Sequence, residues 1–303
     1  MTDQHDVHPH TLADAAIVVG TDGTAPATAA VRWAARTAAH RGRRLLIVHG
    51  IDFAATRAAL GSYDVMVPPV SETLRARGAE LLVEAAGQAR AEAPALPIAT
   101  ELFEQNAAQS LVALSTHAHL VVLGATPGVG TVAHLGSTLL AVTAHAHGAT
   151  VVVRGDKQAG DTGPVVVGVD GSEVGEAAIA AAFSEAAERG AELIAVHAWS
   201  GLSAGEFAGT SYLTNPLENF EIGEHALLAE RLAGWQEKYP DVSVVRKVYP
   251  TGPRERLNEW SKQAQLVVVG SRGRGGFRGL LLGSTSNWLI QHADCPVMVV
   301  HPS

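Results

Sequence analysis

The feature that most constrains this chain is that it is written twice. Ile17-Val-Val-Gly-Thr-Asp-Gly-Thr24 returns as Val165-Val-Val-Gly-Val-Asp-Gly-Ser172, which sets Gly20 against Gly168 and Asp22 against Asp170. Arg43-Arg-Leu-Leu-Ile-Val-His49 is answered by Ala191-Glu-Leu-Ile-Ala-Val-His197, and Leu120-Val-Val-Leu-Gly124 by Leu266-Val-Val-Val-Gly270. Gly136-Ser-Thr138 is likewise answered by Gly283-Ser-Thr285. A repeat of this length decides the architecture before any single element is assigned. The chain should form two copies of one domain, over 14–154 and 164–303. The Gly-rich, charged stretch 155–163 between them has no apolar period and reads as a linker.

Within each copy, short β-branched apolar runs alternate with longer segments of helical apolar spacing. Strands are expected near 15–20, 44–49, 97–102, 119–124 and 149–153, and again near 165–169, 191–198, 242–248, 266–270 and 296–300. In the second copy, helices are expected near 174–189, 218–238, 252–264 and 284–292. Strands of unbroken Val, Ile and Leu mark a parallel sheet covered by helices on both faces. Each half is therefore expected to be an α/β, doubly wound, five-stranded unit. In such sheets ligands sit beyond the C-terminal strand ends where the winding reverses, just after strands one and four. The segments 52–70 and 199–216, after strand two of each copy, are long for plain loops. They read either as covers over that place or as ordinary insertions.

The sequence is richest in glycine after the fourth strand of the second copy. Gly270-Ser-Arg-Gly273-Arg-Gly-Gly-Phe-Arg-Gly-Leu-Leu-Leu-Gly283-Ser284 has the spacing Gly-x2-Gly-x9-Gly-Ser. Glycines permit positive φ and let backbone amides approach an anion, while Gly283-Ser284-Thr285-Ser286 opens a helix whose free amides favour phosphate. Arg272, Arg274 and Arg278 add charge there, and Ser284 and Ser286 can cap the helix or donate to phosphate oxygens. No Gly-Lys-Ser/Thr follows, so the loop is not a Walker A motif. A tight strand-to-helix turn would also use glycine, and capping alone would account for the Asp-Gly turns at Asp22 and Asp170.

This loop, with the opening Val-Gly-Val-Asp-Gly-Ser and the closing Cys295-Pro-Val-Met-Val-Val300, resembles the ATP-binding signature of the universal stress protein family. The resemblance covers both halves. It implies a Rossmann-like fold of the adenine nucleotide alpha hydrolase kind, with ATP, ADP or AMP as ligand, with or without Mg²⁺. It further implies that Asp170 faces adenine or ribose with Gly168 beside it, and that the backbone at Ala198 meets the adenine edge. Ribose and phosphates would lie on Gly270, Ser271, Arg272, Gly273, Arg274, Gly275, Gly276, Gly283, Ser284, Thr285 and Ser286. In the family's dimers the fifth strands pair, which implies an internal pseudo-dimer here and leaves room for a homodimer of whole chains.

The first copy offers a weaker set, Gly20, Asp22, Gly124, Gly128, Gly136 and Ser137. Its loop is one residue shorter between the outer glycines, Pro127 stands where Gly273 stands, and His134 is its only counterpart to the three arginines.

Composition limits the alternatives. With 22 basic against 30 acidic residues the chain carries −8, which opposes broad nucleic-acid binding. Cys295 is the only cysteine, so no intrachain disulfide can form, and a reducing cytoplasmic compartment is expected. The first ten residues lack the form of a signal peptide and no run suits a bilayer span. Of the 14 histidines, seven fall in the groups His5/His8/His10, His117/His119 and His145/His147. Spacing of two beside strands does not gather ligands on one helix face, so no metal site is expected. His49 and His197 recur at strand ends and read as structural. The leading expectation is a nucleotide-binding regulatory protein in stress or growth arrest, with at most slow hydrolysis. The alternatives are a slow ATPase or adenylyl-transfer enzyme, for which no catalytic base and no His-x-Gly-His motif is visible, and a nucleotide-free interaction scaffold.

Overall fold

A computed structural model describes residues 15–60, 67–125, 137–154, 162–198, 217–250, 252–273 and 282–302. The chain divides into two compact units, with Arg154 in the first and 162 onward in the second.

In the first unit β1 (Ile17–Gly20), α1 (Ala25–His40), β2 (Leu45–Gly50), α2 (Phe53–Leu60), α3 (Val67–Glu92), β3 (Ile98–Phe103), α4 (Ala107–Ser115), β4 (Leu120–Ala125), α5 (Ser137–His145) and β5 (Ala149–Arg154) follow one another. All strand pairings are parallel, in the order β3-β2-β1-β4-β5. The second unit repeats this with β6 (Val165–Gly168), α6 (Glu173–Arg189), β7 (Leu193–Ala198), α7 (Leu217–Lys238), β8 (Val244–Tyr249), α8 (Pro253–Ser261), β9 (Leu266–Gly270), α9 (Ser284–His292) and β10 (Val297–Val300). Its order is β8-β7-β6-β9-β10, again all parallel.

The expected doubly wound units are thus present. Winding reverses between β1 and β4, and between β6 and β9. Helices α1 and α3 pack together, as do α4 and α5, α6 and α7, and α8 and α9. Central strands are buried on both faces, Val165, Val166 and Val167 completely. The strands β3 (Ile-Ala-Thr-Glu-Leu-Phe) and β8 (Val-Val-Arg-Lys-Val-Tyr) stand at the open side of their units and carry charge, which discourages edge pairing.

Local chemistry explains the boundaries. Thr24 caps α1 by accepting from the Ala27 amide at 3.5 Å, and Ser172 caps α6 by accepting from the Gly175 amide at 3.0 Å. Gly190 ends α6 at φ 58°, a left-handed conformation in which glycine carries no side-chain penalty. A serine latch recurs in both units. The amide of His147 donates to Ser115 Oγ at 2.9 Å, and the amide of Asp294 donates to Ser261 Oγ at 2.9 Å. The segment after β2 forms the helix α2 instead of a plain loop, with Asp52 Oδ1 accepting from the Ala55 amide at 2.9 Å. Its counterpart 199–216 lies outside the described residues.

Candidate functional site

In the second unit the C-terminal ends of β6 and β9 are joined by a chain of short contacts. Asp170 follows β6 and is half-buried. Its Oδ1 accepts from the Ser172 amide at 3.0 Å and from the Ser172 hydroxyl at 2.7 Å, while Ser172 Oγ accepts from Gly175. The turn is therefore fixed by its own hydrogen bonds before any ligand enters. The other oxygen, Oδ2, lies where a Cβ on Gly273 would be, so any side chain at 273 would collide with it. Gly175 is likewise constrained, since a Cβ there would stand 2.8 Å from Asp170 Oδ1.

The loop after β9 is clamped at both ends. The Ser271 amide donates to the Val300 carbonyl at 2.7 Å, the Gly283 amide to the Ser271 carbonyl at 2.7 Å, and the Ser286 hydroxyl to the Gly270 carbonyl at 2.6 Å. These bonds bring Gly270 and Gly283 side by side and hold the start of α9 against the end of β9. Ser271 is completely buried, and its hydroxyl has no partner among the described residues. Arg272 and Gly273 are exposed. Arg274, Gly275, Gly276 and Arg278 lie outside the described residues.

Two expectations for this loop change in physical basis. Positive φ is not what Gly270, Gly273 and Gly283 provide, for none of them is left-handed. Close approach is: a Cβ at 270 would sit 3.1 Å from the Arg272 carbonyl and from Val174 Cγ1, and one at 283 would sit 3.3 Å from Arg272 Cα. Ser284 and Ser286 do not cap α9. The cap position is Gly283, with no side-chain hydrogen bond, and the Ser286 hydroxyl is committed to Gly270. The first-turn amides of Ser284, Thr285 and Ser286 thus carry no side-chain cap, as at α8 on Gly252, whereas α1, α4 and α6 are capped by Thr24, Asn106 and Ser172. An uncapped N-terminus leaves donors and the positive end of the helix dipole available to an anion. Gly168 has a packing reason as well: a Cβ there would stand 3.0 Å from Leu257 Cδ1.

Ala198 ends β7, half-buried. Beside it is a pair that sequence reasoning missed. His197 Nδ1 lies 2.8 Å from the Val169 carbonyl, and Nε2 lies 3.1 Å from Glu224 Oε2, with both side chains buried. The available signal was a glutamate four residues before Leu228 and eight before Leu232, on an apolar helical stripe whose leucines are fully buried.

In the first unit Asp22 makes the same turn, accepting from the Thr24 amide at 3.0 Å and its hydroxyl at 2.6 Å, but Asp22 is exposed. Gly124 closes tightly on α1, for a Cβ there would collide with the Pro26 carbonyl. Gly20 packs against Leu111 and Leu123. Ser137 is exposed at the start of α5, while Pro127, Gly128, His134 and Gly136 lie outside the described residues.

Among the described residues no three His, Cys, Asp or Glu side chains converge as metal ligands, and His119 Nε2 meets Arg41 at 2.7 Å. Cys295 is buried; burial first, then the nearby Asp294 charge, pushes its thiol up to about 12 against the lowering effect of backbone hydrogen bonds, the Val267 one foremost. No described helix is long and apolar enough to cross a membrane.

The profile of the universal stress protein family matches residues 15–154 and again 162–301. A universal stress protein of Mycolicibacterium smegmatis is 41% identical over 290 residues, covering 94% of this chain and 97% of that protein. Universal stress protein Rv2005c of Mycobacterium tuberculosis is 39% identical over 296 residues, covering 95% and 97%. Among solved structures, a universal stress protein from Archaeoglobus fulgidus superposes with a TM-score of 0.70 at 17% identity, over 95% of this chain and 98% of that one. At that identity the likeness speaks for the fold.

Proposed function

The chain belongs to the universal stress protein family in both of its units, and from that premise we propose that the second unit binds an adenine nucleotide, ATP or its lower phosphates, as a regulatory ligand. The observation that carries this reading is the uncapped start of α9, clamped beside β9 next to the prefixed carboxylate of Asp170. Phosphates would lie on the amides of Ser284, Thr285 and Ser286 and on the 270–273 backbone, with Arg272 supplying charge. Asp170 and the backbone at Ala198 would meet the nucleoside. The clamp assembles this surface without ligand, so little ordering would be needed on binding.

Turnover is expected to be slow. Amides and hydroxyls hold ground-state phosphate, and no described residue is placed to orient a water and take its proton. The test is calorimetric titration of the purified chain with ATP, ADP, AMP and inorganic phosphate, with and without Mg²⁺, alongside a phosphate-release assay. Saturable ATP binding that outlasts hydrolysis supports the reading. Absence of binding by any adenine nucleotide would sink it, and several turnovers per second would make the protein an ATPase instead.

A further inference from the structure

We propose that His197 and Glu224 hold one proton between them, a buried pH-sensitive link in the second unit that the first unit lacks. A carbonyl oxygen can only accept, so the 2.8 Å contact with Val169 requires hydrogen on His197 Nδ1. In neutral imidazole Nε2 would then present a lone pair to Glu224 Oε2 at 3.1 Å, between side chains that are 4% and 0% exposed. Lone pair against carboxylate is repulsive at that distance, and little solvent reaches the pair to screen it. One proton resolves the conflict, as imidazolium with carboxylate or as imidazole with carboxylic acid. Both descriptions have the same proton count, so the pair titrates as a unit.

The first unit serves as an internal control. His49 Nδ1 makes the same bond, 2.7 Å to the Thr21 carbonyl. The helix residue standing where Glu224 stands is Gly78, whose would-be Cβ lies 3.1 Å from His49 Cδ2. No acid stands at that position. Among the described residues, the neighbouring ionisable groups are engaged elsewhere or face solvent. Asp170 is held by Ser172, Arg231 on α7 pairs with Glu176 on α6 at 3.0 Å, and Arg246 on β8 is exposed, in register with Ala195.

Free histidine releases its proton near pH ~6.5. The folded pair keeps its proton beyond that value, so its contribution is complete below about pH 6.5 and is lost as pH rises through the pair's own higher titration point. Loss of the proton sets a bare carboxylate against the ring that anchors Val169, the residue before Asp170. The link therefore makes the geometry of this strand end depend on pH.

The experiment compares thermal unfolding of the full chain with Glu224→Gln from pH 6.5 to 8.5, without nucleotide, so that its outcome is independent of whether nucleotide binds. Four of the five tryptophans lie beyond residue 198, so their fluorescence follows mainly the second unit. A Gln amide can donate to neutral Nε2 and needs no extra proton. The wild-type midpoint should fall relative to the variant by on the order of 5 °C across that range. Parallel pH profiles would overturn the proposal. Should the variant not fold, ¹⁵N-histidine NMR of the wild type decides. A retained Nε2–H on His197 at pH 7.5 supports the shared proton, and a bare Nε2 on His197 overturns it.

Discussion

Asp170 Oδ2 occupies the space that a Cβ on Gly273 would need, so the carboxylate after β6 and the loop after β9 can meet only because residue 273 has no side chain. Gly273→Ala must push one of them away. ATP affinity should fall by roughly 10- to 100-fold, equivalent to about 1.4–2.8 kcal/mol. Stability should barely change, because Gly273 is exposed. In an Asp170→Gly background the added methyl meets nothing from residue 170, and its cost should largely vanish. A double-mutant cycle by calorimetry measures this coupling, and additive losses would show that the approach does not matter for binding.

The two serines at the start of α9 should behave oppositely. Ser286 is buried and ties the helix to the Gly270 carbonyl, so Ser286→Ala should cost about 1–2 kcal/mol in urea unfolding. Ser284 is exposed and caps nothing, so Ser284→Ala should stay within about 0.5 kcal/mol in the same assay.

Much of this was legible in the sequence because the repeat is written in strand residues. Ile17–Gly20 and Val165–Gly168 begin their sheets as apolar runs that only a doubly covered strand can bury. The glycine spacing after β9 likewise marked the place where Asp170 and α9 converge. What stayed hidden was the reason for each residue. Sequence could not tell that Gly273 answers a carboxylate rather than a positive φ, because the two demands leave the same letter. Nor could it tell that the Ser286 hydroxyl turns inward, since capping and clamping both favour serine. Glu224 escaped because a glutamate within a helix is ordinarily on the solvent side, and its partner His197 lies in another element.

Glycines within helices divide by what surrounds them. Positions 87 and 234 have open space where a Cβ would go, so Gly87→Ala and Gly234→Ala should each stabilise by about 0.5–1 kcal/mol through helix propensity. At position 78 a Cβ would stand 2.7 Å from Leu102 Cδ1 and 3.1 Å from His49 Cδ2. There the gain is offset by crowding, and Gly78→Ala should be neutral or destabilising in thermal unfolding.

Cys295 should be silent in the native state. With its thiol pushed up to about 12, little thiolate forms at pH 8, and the sulfur is also buried. Reaction with a disulfide reagent should run at the rate of unfolding and become immediate in denaturant. The unfolded thiol ionises near its ordinary value of 9.0. Its contribution to stability is therefore complete below that pH and declines towards pH 12, by at most about 1.4 kcal/mol per pH unit. Prompt labelling of the folded protein at pH 8 would contradict this.

The two units should be unequal, with nucleotide held mainly by the second. In that unit the approach of Asp170 requires a bare Cα at 273, and the corresponding first-unit residue is Pro127, whose ring carries the excluded carbon and whose nitrogen has no hydrogen to donate. The first-unit loop also replaces Arg272, Arg274 and Arg278 with no cation other than His134, mostly neutral at pH 7. Losing two or three charge-assisted contacts of about 1.5–3 kcal/mol each should weaken the first site by a hundredfold or more. Titration of the full chain with ATP should therefore show close to one tight site. Asp170→Ala should weaken that site while leaving it measurable, and Asp22→Ala should leave it intact. Two sites of equal affinity, or loss of the tight site on changing Asp22, would overturn the asymmetry.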